Sequence, residues 1–302
     1  MSILFINLGY LANILLMIIS QLQTSTYSQT KALSLLPQAV NELFYAGDLL
    51  KLLEMPKVAI VGSRKLTNYG RFVTEKLARE LARNGVVIVS GLALGIDSVA
   101  HRTALEENRP TIAVLPTGLE KIYPYQHHYL AKQIVDQGGA LVSEYPAEQT
   151  TVMKYQFIAR NRIIASLSQV VIITEAAKKS GSLHTAQFAL DQGIDIFAVP
   201  GKIIDQNSVG TNDLIKQGAQ ILTSAQDVLE ILNIKPTNDL KHKNTDPIQQ
   251  KVVQLLKGES MTIQNIHLLS NINLTELQQA ITLLELNGII QSTDGYTWTL
   301  AI

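Results

Sequence analysis

The sequence predicts an α/β fold: a mostly parallel sheet with helices on both faces, followed by a small winged-helix domain. Three observations predict it. From Val58 onward, seven short apolar, largely β-branched runs alternate with amphipathic stretches of helical period. Those runs end in small or polar residues, as the strands of an open sheet do at their ligand edge. Beyond Asn233 a polar stretch leads to three helical patterns and two short strand patterns.

The seven strands are expected at 58–61, 86–89, 111–115, 140–142, 170–174, 195–199 and 220–222. Between the first two, residues 68–84 read as a helix. Val73, Leu77 and Leu81 share one face with Ala78 and Ala82 beside them, Glu75 and Arg79 are spaced for an i, i+4 ion pair, and Gly85 supplies a stop. Right-handed crossovers bring every strand's C-terminal end to one edge. That edge receives Gly62-Ser63-Arg64, the run Ser90-Gly91-Leu92-Ala93-Leu94-Gly95, Pro116-Thr117-Gly118, the stretch 175–185 with Lys178, Lys179, Ser180, Gly181 and Ser182, and Pro200-Gly201-Lys202. Small residues admit a ligand to the backbone, and N–H groups at helix starts attract anions. Several such loops carrying Arg64, Lys178, Lys179 and Lys202 predict a shared anion site.

A dinucleotide is not the expected anion. Gly62-Ser63-Arg64 lacks the second and third glycines of G-x-G-x-x-G, and the second strand ends in Ser90 where a ribose-binding carboxylate belongs. No G-x-x-x-x-G-K-[ST] occurs either. Lys154, Phe157, Arg160 and Asn161 lie at i, i+3, i+6 and i+7, so one helical face presents two cations, an aromatic ring and an amide. Such a face suits single-stranded nucleic acid, whose bases stack on rings while cations hold phosphates. It equally suits a core in which Phe157 and Ile164 are buried and the arginines pair with acids. Both readings stay open on spacing alone. Asp97 and His101, four apart, read as a helix-start carboxylate near a histidine rather than a catalytic dyad. Ser90 lacks a G-x-S-x-G elbow. Glu144 and Glu175 follow strand ends, suited to acid–base work or to neutralising arginines.

Residues 1–36 are expected to form an apolar N-terminal segment and linker. Residues 2–20 are apolar enough to raise a membrane anchor. Asn7 and Asn13 interrupt the run, no Lys or Arg precedes it, and no A-x-A cleavage pattern follows. Leu4, Leu8, Leu11, Leu15 and Ile18 recur at helical spacing, so a docking or packing helix is preferred. The Ser/Thr-rich stretch 21–30 reads as linker, and 43–50 as a strand and capped turn.

Composition bounds function. The 25 Lys and Arg residues balance 25 Asp and Glu, so any nucleic-acid role needs a local patch. Without cysteine there is no disulfide framework, thiolate nucleophile or Cys-ligated metal, which fits a reducing cytoplasm. The six histidines form no zincin pair, and no metal site is expected.

The ordered set Val-Ala-Ile-Val-Gly-Ser-Arg from Val58, Ser-Gly-Leu-Ala-Leu-Gly-Ile-Asp-Ser-Val-Ala-His from Ser90, Arg-Asn-Arg-Ile-Ile-Ala from Arg160, Ser-Gly-Ser-Leu-His-Thr from Ser180 and Ala-Val-Pro-Gly-Lys from Ala198 closely resembles the DNA-processing protein A (DprA, also called Smf) family. The resemblance covers residues 43–232. It implies an extended Rossmann-like core at 37–232 that binds single-stranded DNA, forms a homodimer and loads the RecA recombinase during natural transformation, with neither metal nor nucleotide cofactor and no catalysis. Carried over by position, it implies that Gly62, Ser63, Arg64 and Gly91 belong to the phosphate loops. Lys154 and Phe157 would hold backbone and base ahead of Arg160, Asn161 and Arg162, and Lys178, Ser180, Gly181 and Ser182 would line the same pocket. Many family members begin with a compact helical domain of the sterile-alpha-motif type, for which residues 1–36 are too short and apolar.

Residues 233–246 have linker composition, and 247–302 the winged-helix pattern. Its third helix carries Glu276, Gln278, Gln279 and Glu285 but no Lys or Arg, which favours a protein contact over a duplex. The enzymatic alternative is a nucleotide N-glycoside hydrolase of the related lysine-decarboxylase-like group. Its Pro-Gly-Gly-x-Gly-Thr-x-x-Glu pattern fails here, because Phe188 stands at the glutamate's place.

Overall fold

All seven expected strands form, and they lie in one sheet. The computed structural model describes residues 18–149, 151–235, 246–286, 289–292 and 296–300. The chain divides into two units, Met1–Thr237 and Asn238–Ile302. In chain order the first contains β1 (Ile19–Gln23), α1 (Lys31–Ser34), β2 (Glu42–Gly47), α2 (Leu49–Leu53), β3 (Lys57–Val61), α3 (Asn68–Arg83), β4 (Val87–Ser90), α4 (Ile96–Glu106), β5 (Thr111–Val114), α5 (His128–Asp136), β6 (Ala140–Ser143), α6 (Lys154–Ser166), β7 (Val170–Ile173), α7 (Ser182–Asp191), β8 (Asp195–Ala198), α8 (Val209–Lys216), β9 (Gln220–Ile221) and α9 (Ala225–Ile231).

The nine strands run in the order β1-β2-β6-β5-β4-β3-β7-β8-β9. From β6 to β9 all neighbours are parallel, whereas β2 is antiparallel to both β1 and β6. The chain winds outward from β3 to β6, returns beside β3 as β7, and winds out the other way, so its direction reverses between β3 and β7. Strands covered on both faces are buried at every position, as β4 and β7 show. β7 is apolar throughout, while β4 breaks its apolar run only at the terminal Ser90, whose hydroxyl donates to the Ile60 carbonyl at 2.6 Å. Ala59, Val61, Val89 and Ile173 face Ile163 and Ile164 of α6 and Ala186 of α7. Val58, Ile60, Ile88 and Ile172 face Leu77 and Leu81 of α3 and Ile96 of α4.

Helix α3 starts where the Thr67 hydroxyl accepts from the Gly70 N–H at 3.0 Å, and Gly85 follows it at φ +79°. The expected Glu75–Arg79 pair gives way to others. Glu75 meets Arg71 at 4.0 Å, and Arg79 is drawn to Glu106 and Glu107 at the end of α4, at 3.2 and 3.0 Å.

The N-terminal expectation needs correction. Residues 1–17, and with them most of the expected helix, lie outside the described residues. Residues 19–23 are an edge strand, so the sheet begins within the segment expected to precede the core. The stretch 21–30 is no linker: the buried Thr24 hydroxyl donates to the Val40 carbonyl at 2.6 Å, and the buried Thr30 hydroxyl to the Thr24 carbonyl at 2.8 Å. Here Ser/Thr hydroxyls satisfy a folded backbone rather than water. Among the described residues no helix is long and apolar enough to cross a membrane.

The second unit comprises α10 (Pro247–Leu256), β10 (Met261–Thr262), α11 (Ile263–Ser270), α12 (Leu274–Leu286), β11 (Ile290–Ser292) and β12 (Thr297–Leu300). Its strands form an antiparallel sheet in the order β10-β12-β11, and Val252, Leu256, Ile266, Leu277, Ile281 and Leu284 fill a core of their own. Three helices with this sheet make the expected winged helix. The short β10 had no sequence signal. The expected turn at Asp294-Gly295 and most of the expected linker lie outside the described residues.

Candidate nucleic-acid interface

Ligands of open α/β sheets bind beyond the carboxyl ends of strands where the winding reverses. A cleft of about 740 Å³ lies at that place, bounded by the loop after β3, the first turns of α6 and the loop between β7 and α7.

The β3 loop is shaped by contacts that leave no room at Gly62. A Cβ there would lie 2.7 Å from the Ile96 side chain and 2.8 Å from the Glu175 carbonyl. The Ser63 N–H donates to that carbonyl at 2.7 Å, and the Ser63 hydroxyl accepts from the Lys65 N–H at 3.1 Å. These bonds fix the loop and leave Arg64 and Lys65 exposed in the cleft. The Arg64 guanidinium stands 5.2 Å from the Phe157 ring centre, within cation–π reach. Tyr123 meets the same ring edge-on, with centroids 5.3 Å apart at 66°. Lys154, one turn before Phe157, and Lys179 are exposed and line the cleft as well.

The Arg160-Asn161-Arg162 run does something else. Arg160 is buried beneath the cleft, its Nη1 donating to the Gly91 carbonyl at 2.5 Å and to the Val114 carbonyl, at the ends of β4 and β5. Gly91 is small because the guanidinium crosses it: a Cβ would lie 2.5 Å from Nη2. Burial pushes Arg160 down to about 10, with Asp97 pulling it up and Arg64 pressing it lower. Asp97 is buried too, accepts from the Gly91 N–H at 3.1 Å, and is raised by burial against the pull of Arg160. The Asn161 amide donates to the Gly181 carbonyl at 3.1 Å, tying α6 to the β7–α7 loop. Arg162 is outside the cleft. It pairs with Glu144 at 2.5 Å and donates to the Gln38 carbonyl at 2.8 Å.

Thus the cleft brings together Gly62, Ser63, Arg64, Lys154, Phe157, Arg160, Asn161, Ser180, Gly181 and Ser182. Gly91 lines a recess of about 60 Å³ that shares Arg64, Tyr123 and Phe157 with it. Arg162 and Lys178 are absent from the lining, and Lys179 stands where Lys178 was expected. Glu175 is committed to structure, accepting from the Thr67 N–H at 3.0 Å and its hydroxyl at 2.6 Å at the start of α3. Phe188, at the place of the hydrolase pattern's glutamate, packs against the core. Sequence reasoning missed Lys65, Tyr123 and Asn207. Only Tyr123 carried a signal, the run Ile-Tyr-Pro-Tyr in a strand-end loop.

Below the floor, the fully buried His101 meets the Thr111 hydroxyl through Nδ1 at 2.8 Å, and its Nε2 has no partner. Burial holds it down to about 3, helped by the positive fields of His127, Arg160 and Arg102. Its folded value lies below the unfolded one, so its stabilisation is complete above about pH 6.5 and is lost as pH falls toward 3, at up to about 1.4 kcal/mol per pH unit. Asp97, raised by burial, acts in the opposite sense. Urea unfolding between about pH 7 and 5 should show a declining stability, and His101→Gln should flatten the decline; an unchanged slope would place the acid sensitivity elsewhere.

The sequence model of DNA recombination-mediator protein A matches residues 19–233. The chain is 48% identical over 188 residues to DNA processing protein DprA of Streptococcus pneumoniae, covering 62% of this chain and 65% of that protein. With protein Smf of Escherichia coli it shares 47% over 190 residues, 63% of this chain and 50% of that one. The chain therefore spans half to two thirds of the length of these relatives. Two solved structures share the architecture. The X-ray structure of the pneumococcal protein matches with a TM-score of 0.61 at 46% identity, covering 66% of this chain and 69% of that one. A structure describing the single-stranded DNA binding mode of DNA processing protein A from Helicobacter pylori matches with a TM-score of 0.63 at 39% identity, covering 71% and 95%. With its sheet, its β3 loop and its α6 face in place, the chain belongs to the DNA recombination-mediator protein A family, that of the DprA and Smf proteins.

Proposed function

We propose that the chain binds single-stranded DNA in the cleft between the β3 loop, α6 and the β7–α7 loop, and hands it as a homodimer to the RecA recombinase. It does so in the cytoplasm, without catalysis, metal or nucleotide cofactor. The observation that carries this reading is the placement of Arg64 against Phe157 in a cleft flanked by Lys65, Lys154 and Lys179. A ring offers a π-face to any base, and the cations around it track phosphates, which is sequence-tolerant single-strand binding. The H. pylori relative, described as a single-stranded DNA binder, supports the same use of the fold. Arg64, Lys154 and Phe157 bind in this reading. Gly62 and Ser63 shape the loop, Ser180, Gly181 and Ser182 offer polar groups at the start of α7, and Gly91, Arg160 and Asn161 hold the parts in register.

Anisotropy titration with oligo-dT tests it. Arg64→Ala and Lys154→Ala should each weaken binding and reduce the slope of log K against log salt by about 0.7, one phosphate contact apiece. Phe157→Ala should cost about 1–3 kcal/mol of binding free energy with the slope unchanged. Arg64 and Lys154 are exposed, so their melting temperatures should stay near that of the parent. Wild-type affinity in all three variants would overturn the proposal. Sedimentation of the free protein, and a RecA filament-assembly assay on coated DNA, test the dimer and the hand-over.

A further inference from the structure

The loop between β8 and α8 turns sharply at Lys202-Ile203-Ile204-Asp205, where the Asp205 N–H donates to the Lys202 carbonyl at 3.0 Å. Ile203 and Ile204 occupy its two corners, 92% and 86% exposed. Corners of tight turns favour Gly, Pro, Asn, Asp and Ser, and a β-branched apolar pair there gains neither turn geometry nor core burial. The turn is braced on both sides. Before it, Asn212 exchanges hydrogen bonds with both the N–H and the carbonyl of Gly201, at 3.2 and 3.1 Å. After it, the Asp205 carboxylate accepts from the Asn207 N–H at 2.9 Å. The Asn207 side chain lines the cleft and donates to the Lys65 carbonyl at 2.9 Å, which ties the turn to the Arg64-Lys65 loop. Asn207 follows Ile204 by three positions, so the apolar corner stands within about 10 Å of the cleft wall.

We infer that Ile203 and Ile204 form an apolar platform for the bases of single-stranded DNA leaving the cleft. This rests on the proposed cleft binding. The occupant follows from charge and area. Lys202 and Asp205 flank the pair, the Asp205 carboxylate taken up by the Asn207 N–H, and Lys65 lies beyond the tether. Two cations outweigh one carboxylate, so an anionic chain is drawn along this side. Two isoleucines expose far less than the roughly 800 Å² per partner of a stable protein interface, whereas a base face is the size of an apolar side chain. Apolar wedges, isoleucine among them, meet bases elsewhere in protein–DNA recognition.

The test compares oligo-dT of about 4 and about 16 nucleotides, bracketing the site sizes of single-strand-binding folds. The double substitution Ile203→Ser, Ile204→Ser should weaken the longer oligonucleotide about tenfold and the shorter less than twofold. Its salt slope should stay unchanged, since no charge is removed. Arg64→Ala, run alongside, should weaken both lengths. Equal affinity of the double variant and the parent for the longer oligonucleotide, with Arg64→Ala impaired, would overturn the platform alone. No effect from either would overturn the cleft reading beneath it. A tenfold loss at both lengths would place the isoleucines inside the primary site and equally overturn an exit platform. Both side chains lie outside the core, so circular dichroism melting should match the parent, and a Trp at either corner, Ile203→Trp or Ile204→Trp, should tighten the longer oligonucleotide.

Discussion

Arg160→Gln is expected to lower the unfolding free energy by about 3–5 kcal/mol and to weaken oligo-dT binding without changing its salt slope. Arg160 is a buried charge whose Nη1 satisfies carbonyls at the ends of two different strands. Glutamine is too short to reach both, which leaves buried acceptors unmet at about 1–3 kcal/mol each and Asp97 without the guanidinium that offsets its burial. For a unit of this size the fall corresponds to a melting temperature lower by roughly 10 °C. The functional consequence comes through α6. Phe157 sits one turn before Arg160, so loosening the clamp blurs the position of the ring against Arg64 and cuts affinity about tenfold. The salt slope separates this from a direct phosphate contact. If Arg160→Gln lost about 0.7 of slope with little change in melting temperature, the arginine would be gripping DNA rather than strand ends.

What could be read from the sequence follows the same division. Strands β3 to β9 were legible because β-branched runs bounded by glycine and punctuated by helical periods admit few other interpretations. The cleft residues Arg64, Lys154 and Phe157 were legible because their chemistry is local: a cation after a Gly-Ser turn, and a cation and ring one turn apart. The division of labour within 160–162 was not. Helical spacing gives the face a residue occupies but not what stands opposite, and only the β4 and β5 ends, about 70 and 46 residues earlier in the chain, make Arg160 a clamp. The edge strand β1 was hidden for a different reason. Its five residues alternate weakly, Ile19-Ser20-Gln21-Leu22-Gln23, and its partner β2 lies beyond a polar stretch whose buried threonines imitate a solvated linker. Tyr123 was passed over because the run Ile-Tyr-Pro-Tyr, a pair of rings in a proline-containing loop, has no period to mark which ring enters the cleft.

Arg162→Met should be as destabilising as Arg160→Gln and should leave the cleft untouched. The Arg162–Glu144 pair is 2.5 Å long, with side chains only 8% and 13% exposed, so its worth depends on both charges being present. Burial raises the Glu144 carboxyl and Arg162 pulls it back. Removing the guanidinium leaves a buried lone carboxylate, at about 3–5 kcal/mol near neutral pH. The pH dependence has a definite sign. A carboxyl with a folded value above its unfolded one is most stabilising when protonated, and that contribution is lost as pH rises through the folded value. The deficit of Arg162→Met should therefore shrink between about pH 7 and pH 5, when urea midpoints of variant and parent are compared. Adding Glu144→Leu should restore most of the stability, because a buried pair replaced by apolar side chains is close to neutral whereas half a pair is not. The folded fraction of Arg162→Met should bind oligo-dT with the parent's salt slope, since the arginine stands outside the cleft. A deficit independent of pH and unrelieved by the second substitution would mean that Arg162 acts through its bond to the Gln38 carbonyl, so that α6 is held by the N-terminal segment rather than by the carboxylate after β6.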